Sequence, residues 1–118
     1  MDSTNGPVEP PVDISAFAAS DMRVGTILEA SPFDGARRPA YVLQIDFGPL
    51  GVLKSTAQIT EDHTPDGLLG KKIVAVVNLP PKQVGPHTSR CLVLGAVHGK
   101  RVGLLSVPEN VPNGTRIR

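Results

Sequence analysis

The residues best placed for chemistry cluster in two stretches, Lys54-Ser-Thr-Ala-Gln58 and Asn78-Leu-Pro-Pro-Lys82, with Ser89 a few positions on. Their chemistry is recognition rather than bond-making. Asn78 carries both a donor and an acceptor, suited to a peptide backbone or a base edge. Pro80 and Pro81 fix the backbone and delete two amide donors, so they end a sheet ladder and leave a stiff, partly apolar wall. Lys82 adds a mobile cation. Lys54, Thr56 and Gln58 share one face of an extended stretch, and Ser55 lies on the other. A concave apolar patch with a few convergent polar groups suits an extended chain, so Lys54, Ser55, Gln58, Asn78, Pro80, Pro81, Lys82 and Ser89 form the candidate peptide-binding set.

Other chemistries find less support. His63, His87 and His98 fall in expected loops and are not spaced as a metal pair, and a single cysteine gives no zinc-ligand count. No metal and no cofactor are therefore expected. Cys91 sits in an apolar stretch as a buried, inert thiol. Glu61 and Asp62 are adjacent in a loop, a pattern of solvated charge rather than of an acid–base pair. No glycine loop has the spacing of a phosphate cradle. The chain reads as a non-enzyme with no catalytic residues.

Composition narrows the class further. The 118 residues suit one domain, and 12 glycines with 12 prolines favour turns over helices. Net charge is only +1. The first twenty residues nevertheless carry Asp2, Glu9 and Asp13 with no base, whereas the last forty carry six cations against Glu109 alone. That asymmetry suggests a weakly basic surface on the C-terminal third, facing an anionic or polar partner. The first twenty residues lack the features of an export peptide, and no apolar run is long enough to span a bilayer. The cytoplasm is the expected compartment, with no membrane insertion.

The elements that must position these residues can be read in order. Residues 1–12 read as a flexible tail before a single domain at 13–118. "DISAFAASD" places Ile14, Phe17 and Ala18 on one helical face behind an Asp13 cap, about eight residues that are marginal alone. That face needs a docking surface, either its own barrel or a second subunit.

A strand follows at "MRVGTILEASPF", with Gly25 as its expected bend or bulge, then a polar loop at 31–40. "AYVLQIDFG" points Tyr41, Leu43, Ile45 and Phe47 one way, and a tight turn leads to a third strand, "GVLKSTAQIT". "TPDGLLG" is a short helix with Thr64 as cap, Pro65 at its first position, Leu68 and Leu69 docking it, and Gly70 as stop. "KKIVAVVN" is a buried strand. "RCLVLGAV" and "KRVGLLSV" form a last hairpin around His98-Gly99, and Asn113-Gly114 makes a turn in the tail. Strands with one short helix between the third and fourth predict an all-β fold, the five-stranded Greek-key OB-fold barrel, preceded by an N-terminal helix.

The segments "MRVGTILEA", "ARRPAYVLQIDFG", "KSTAQIT", "TPDGLLGKKIVAVVNLPPKQ", "TSRCLVLGA" and "VPNGTRI" resemble the CsaA secretion chaperones. These form a branch of the tRNA-binding-domain group, which also supplies the C-terminal domain of bacterial methionyl-tRNA synthetases. The resemblance runs from about Ile14 to Ile117. It implies a homodimeric, export-related chaperone that binds unfolded or precursor polypeptides in pockets near the dimer interface, with Ile14 and Phe17 helping to make the dimer. The alternative it carries is a module for tRNA or other structured RNA. Relatives that bind tRNA read Ser-x-Gly-Met where this chain has Ser89, Arg90, Cys91 and Leu92.

Overall fold

The computed structural model describes residues 5–118 of the chain. Its frame is one long strand, β1 (Met22–Pro32), against which three other strands assemble. β2 (Tyr41–Asp46) pairs antiparallel along the second half of β1, and β4 (Lys72–Val76) along the first half. β3 (Val52–Ala57) pairs with β2 around a 3-10 turn at Gly48–Leu50, and a short β7 (Leu92–Val93) pairs with β4. The sheet order is therefore β3-β2-β1-β4-β7. The Arg90 amide donates to the Lys54 carbonyl at 2.8 Å and draws the two outer strands together. The result is a nearly closed five-stranded antiparallel barrel with the connections of an OB-fold.

The alternation expected over 41–47 is realised. Tyr41, Leu43, Ile45 and Phe47 enter the main core beside Ile27, Ile73, Ala75 and Leu68. Each large apolar side chain so buried contributes roughly 1.5–3 kcal/mol. On the other face of β2, Val42 joins Phe33 and Ala40 in a satellite cluster, with Ala36 and Val84 packed against it. Helix α2 (Pro65–Leu68) bridges the third and fourth barrel strands as expected. The Thr64 Oγ accepts from the Gly67 amide at 3.1 Å, and Gly70, at φ +80°, turns the chain out of the helix. Only Leu68 docks this helix; Leu69 stays half exposed.

Several local expectations need correction. The bulge in β1 falls between Ile27 and Glu29, where the register with β2 shifts, and not at Gly25. Gly25 has a packing role instead: a Cβ there would stand 2.6 Å from Ile45 Cγ2 and 2.8 Å from the Phe47 ring. The N-terminal helix α1 is shorter than expected, Ile14–Ala18, and Asp13 caps it without a side-chain hydrogen bond. β3 stops at Ala57, before the expected end at Thr60. The five-strand plan is joined by an inserted hairpin and a terminal strand, while the last hairpin expected around His98-Gly99 does form, over 95–104. β5 (Lys82–Val84) pairs with β6 (His87–Ser89), inserted in the connection between the fourth and fifth barrel strands. β8 (Gly95–His98) pairs with β9 (Arg101–Leu104), and β10 (Arg116–Ile117) adds to the start of β1.

The expected 1–12 tail lies partly outside the described residues; positions 5–12 are exposed along their whole length. No helix among the described residues is long and apolar enough to cross a membrane.

Candidate functional site

A cleft of about 1060 Å³ lies between the β1–β2 loop, the end of β3 and the β5–β6 hairpin. These elements meet there for a packing reason. Phe33, Ala36, Ala40 and Val84 belong to or pack on the satellite cluster, and the same residues line the cleft. The His87 ring stands edge-on to Phe33 with centroids 4.8 Å apart, holding the hairpin against the loop. Polar groups then ring this apolar floor: Thr56 and Gln58 from the third strand and its exit, Ser89 from β6, and the cations Arg37, Arg38 and Lys82 against one carboxylate, Asp34. None of the three cations enters a salt bridge among the described residues.

The sequence-derived set divides on this geometry. Gln58, Lys82 and Ser89 line the cleft. Lys82, Ser89 and Pro80 also border a smaller apolar hollow of about 150 Å³ next door, with Leu79 and Leu92. Lys54 lies at the edge of the cluster, its Nζ 3.2 Å from His87 Nδ1.

Ser55 is buried and its Oγ donates to the Cys91 carbonyl at 3.0 Å, so it staples β3 to the closing segment and offers nothing to the surface. Asn78 is also committed internally. Its Oδ1 accepts from the Asp21 amide at 2.9 Å and its Nδ2 donates to the Ala19 carbonyl at 2.8 Å, clamping the entry of β1 to the exit of β4. Pro81 lines neither hollow.

Sequence reasoning passed over Phe33, Arg37, Arg38, Val84 and Pro86. The signal was present as two adjacent arginines in a loop between the first two strands, since that loop and the one between strands four and five carry binding in OB-folds.

Cys91 and His63 are engaged within the fold and do not line the cleft. Cys91, the sole cysteine, lies below the surface, where burial pushes its thiol up to about 11 despite the hydrogen bond from Ser55. His63 is taken up in structure, its Nε2 2.9 Å from the Val102 carbonyl while its own carbonyl accepts from the Tyr41 hydroxyl at 2.7 Å. Among the described residues no group of three or more acidic, histidine or cysteine side chains could hold a metal. What the geometry can do is hold an extended, partly apolar chain beside a set of cations.

Residues 22–116 match the family model described as a putative tRNA binding domain. The chain belongs to the tRNA-binding-domain family. The structure of this tRNA-binding-domain protein is similar to that of the chaperone CsaA from Bacillus anthracis, at 45% identity and a TM-score of 0.87, over 92% of this chain and 100% of that one. It is equally similar to the CsaA chaperone from Picrophilus torridus, at 45% identity, a TM-score of 0.85 and the same coverage. The CsaA resemblance read from the sequence therefore holds over nearly the whole chain. Among curated relatives, the methionine–tRNA ligase of Thermococcus kodakarensis is 36% identical over 107 residues, which are 91% of this chain and 14% of the ligase. The tRNA-binding-domain protein thus corresponds to a small part of that enzyme's length.

Proposed function

We propose that this protein is a chaperone of the CsaA type that holds unfolded or precursor polypeptides in the cleft between the β1–β2 loop and the β5–β6 hairpin. It works without a cofactor, as a cytoplasmic homodimer serving export. The observation that carries this reading is the cleft's construction. An apolar floor of Phe33, Ala36, Ala40 and Val84 is edged by Thr56, Gln58 and Ser89. Such a surface supplies shallow side-chain pockets and a few hydrogen bonds, which gives weak, sequence-tolerant binding of an extended chain. The full-length match to two CsaA chaperones supports the same reading.

A second reading, binding of tRNA or another structured RNA, is favoured by Arg37, Arg38 and Lys82 on the cleft and by the family to which the chain belongs. Against it stands the scarcity of stacking surface: Phe33 is the cleft's sole aromatic lining residue among the described residues, and it is buried, with the His87 ring nearly perpendicular to it at 4.8 Å.

Titrating one sample with a labelled unfolded peptide and with tRNA, at low and moderate salt, separates the two. Peptide affinity dominated by apolar burial should change little, whereas phosphate contacts should weaken steeply with salt. Binding of tRNA alone would overturn the chaperone reading. Lys82→Ala and Gln58→Ala should reduce peptide affinity while leaving the melting temperature unchanged, because both side chains lie at the surface.

A further inference from the structure

The chain contains the pair Asn-Gly twice, at 5–6 and at 113–114. In this pair a polypeptide most readily attacks itself, because glycine has no side chain to shield its amide nitrogen from the carboxamide carbon of the preceding asparagine. The nitrogen gives its proton to solvent hydroxide and bonds to that carbon. A succinimide ring closes, and the side-chain nitrogen leaves as ammonia. Water then opens the ring at one carbonyl to give aspartate, or at the other to give isoaspartate, whose backbone runs through the side-chain methylene.

The two pairs sit in different surroundings. Asn5 and Gly6 are exposed. The Gly114 amide instead donates to the Val24 carbonyl at 2.8 Å, while the Val24 amide donates to the Thr115 carbonyl at 2.9 Å. These two bonds lock the 112–115 turn onto β1. The Asn113 carboxamide is held as well. Its Oδ1 accepts from Thr26 Oγ1 at 2.9 Å and from Lys72 Nζ at 3.1 Å, tying the tail to β1 and β4. Gly114 has φ +90°, and a Cβ on it would stand 2.8 Å from the Phe47 carbonyl oxygen. The turn thus needs a chemically weak pair, and it immobilises both reacting groups.

From this geometry we propose that Asn113-Gly114 is a latent deamidation site, kept unreactive by the fold, and that isoaspartate formed there releases β10. The Gly114 nitrogen is available only in molecules whose turn has lifted from Val24, so the rate follows that open fraction. The two products differ in consequence. Aspartate keeps an oxygen for Thr26 and Lys72 and leaves the backbone length unchanged. Isoaspartate adds a methylene to the backbone just before Gly114, in a turn without slack: a Cβ on Gly48 would stand 2.6 Å from the Asn113 carbonyl oxygen. Gly114 then misses Val24, and the pairs Arg23–Arg116 and Met22–Ile117 lose their register. Arg116 Nη2 also donates to the Ala18 carbonyl at 2.8 Å, so the release reaches the end of α1.

The test incubates the full chain at mildly alkaline pH, folded or in guanidinium chloride, and maps both sites by mass spectrometry that separates aspartate from isoaspartate. In denaturant Asn5 and Asn113 should convert at similar rates. In the folded protein Asn5 should keep its rate while Asn113 slows ~10-fold or more, in proportion to the closed population. Asp21→Asn, which removes the carboxylate from beside Arg23 and Arg116, should speed conversion at Asn113 and not at Asn5. Equal rates at Asn113 in the folded and denatured protein, or an Asn113 that stays intact in denaturant, would overturn the proposal. The isoaspartate form, made in denaturant, refolded and separated, should lose amide protection at Arg116 and Ile117 or fail to refold, whereas Asn113→Asp should fold and keep it. Protection retained in the isoaspartate form, or lost equally in Asn113→Asp, would overturn the release of β10.

Discussion

At the scale of single residues, Asp21 carries more than its position suggests. Its carboxylate pairs with Arg23, and Arg116 Nε stands 3.7 Å away. Arg23 and Arg116 are cross-strand partners on β1 and β10, so Asp21 separates two guanidinium groups that would otherwise repel. The hydrogen bond from Arg23 holds the Asp21 carboxyl below its ordinary value, with the charges of Arg23 and Arg116 adding to the effect. A carboxylate lowered on folding stabilises the native state at neutral pH, and that contribution is lost as pH falls through the lowered value. Asp21→Asn should therefore loosen β10, seen as faster amide exchange at Arg116 and Ile117. It should also flatten the acid limb of the stability curve measured by urea unfolding.

Gly25 is the other residue whose role is steric. Gly25→Ala would drive a methyl into Ile45 and Phe47 in the centre of the barrel, and overpacking of this kind costs roughly 1–3 kcal/mol. The midpoint of urea unfolding should fall with little change in slope.

At the scale of elements, the strands were readable because their side chains obey a period of two. The stretch 41–47 sends Tyr41, Leu43, Ile45 and Phe47 inward because barrel closure buries that face alone. Helix α2 was equally readable, since Thr64, Pro65 and Gly70 act within one turn of themselves. The candidate site was harder because its parts depend on contacts distant in sequence. Asn78 looked like a surface recognition group, and its neighbours Leu79 and Pro80 do border a hollow. Nothing in the local pattern told that its amide would be claimed by Ala19 and Asp21, nearly sixty residues earlier. Ser55 was placed on the correct side of β3, but the meaning of that side depended on Cys91 closing over it.

The clamp yields a prediction for the element it holds. Asn78→Ala should cost about 1 kcal/mol, the net value of hydrogen bonds at an exposed site where water can replace the lost partner of the Asp21 amide and the Ala19 carbonyl. It should also speed exchange at the Asp21 amide, which donates to it. Lys82→Ala, four residues on, should leave stability unchanged.

At the scale of the whole molecule, α1 is the part that the barrel does not explain. Ile14 is 76% and Phe17 43% exposed, and no residue of the helix is buried. Five residues of helix have little stability of their own in water, so packing must come from elsewhere. A second copy of the chain is the expected cover. Ile14→Ser with Phe17→Ser should shift sedimentation toward the monomer; an unchanged sedimentation coefficient would remove these residues from the interface.

Strand β1 also decides the order of assembly. Hairpin β2–β3 joins residues close in sequence, whereas Met22 finds Ile117 only after nearly the whole chain has intervened. Contacts of such long separation form late, because loop closure must precede them. As the polypeptide leaves the ribosome, the hub strand emerges well before its final neighbour has been synthesised, and its edge stays open meanwhile. Until β10 arrives, the newborn protein presents the same kind of bare, extended backbone that other nascent chains do.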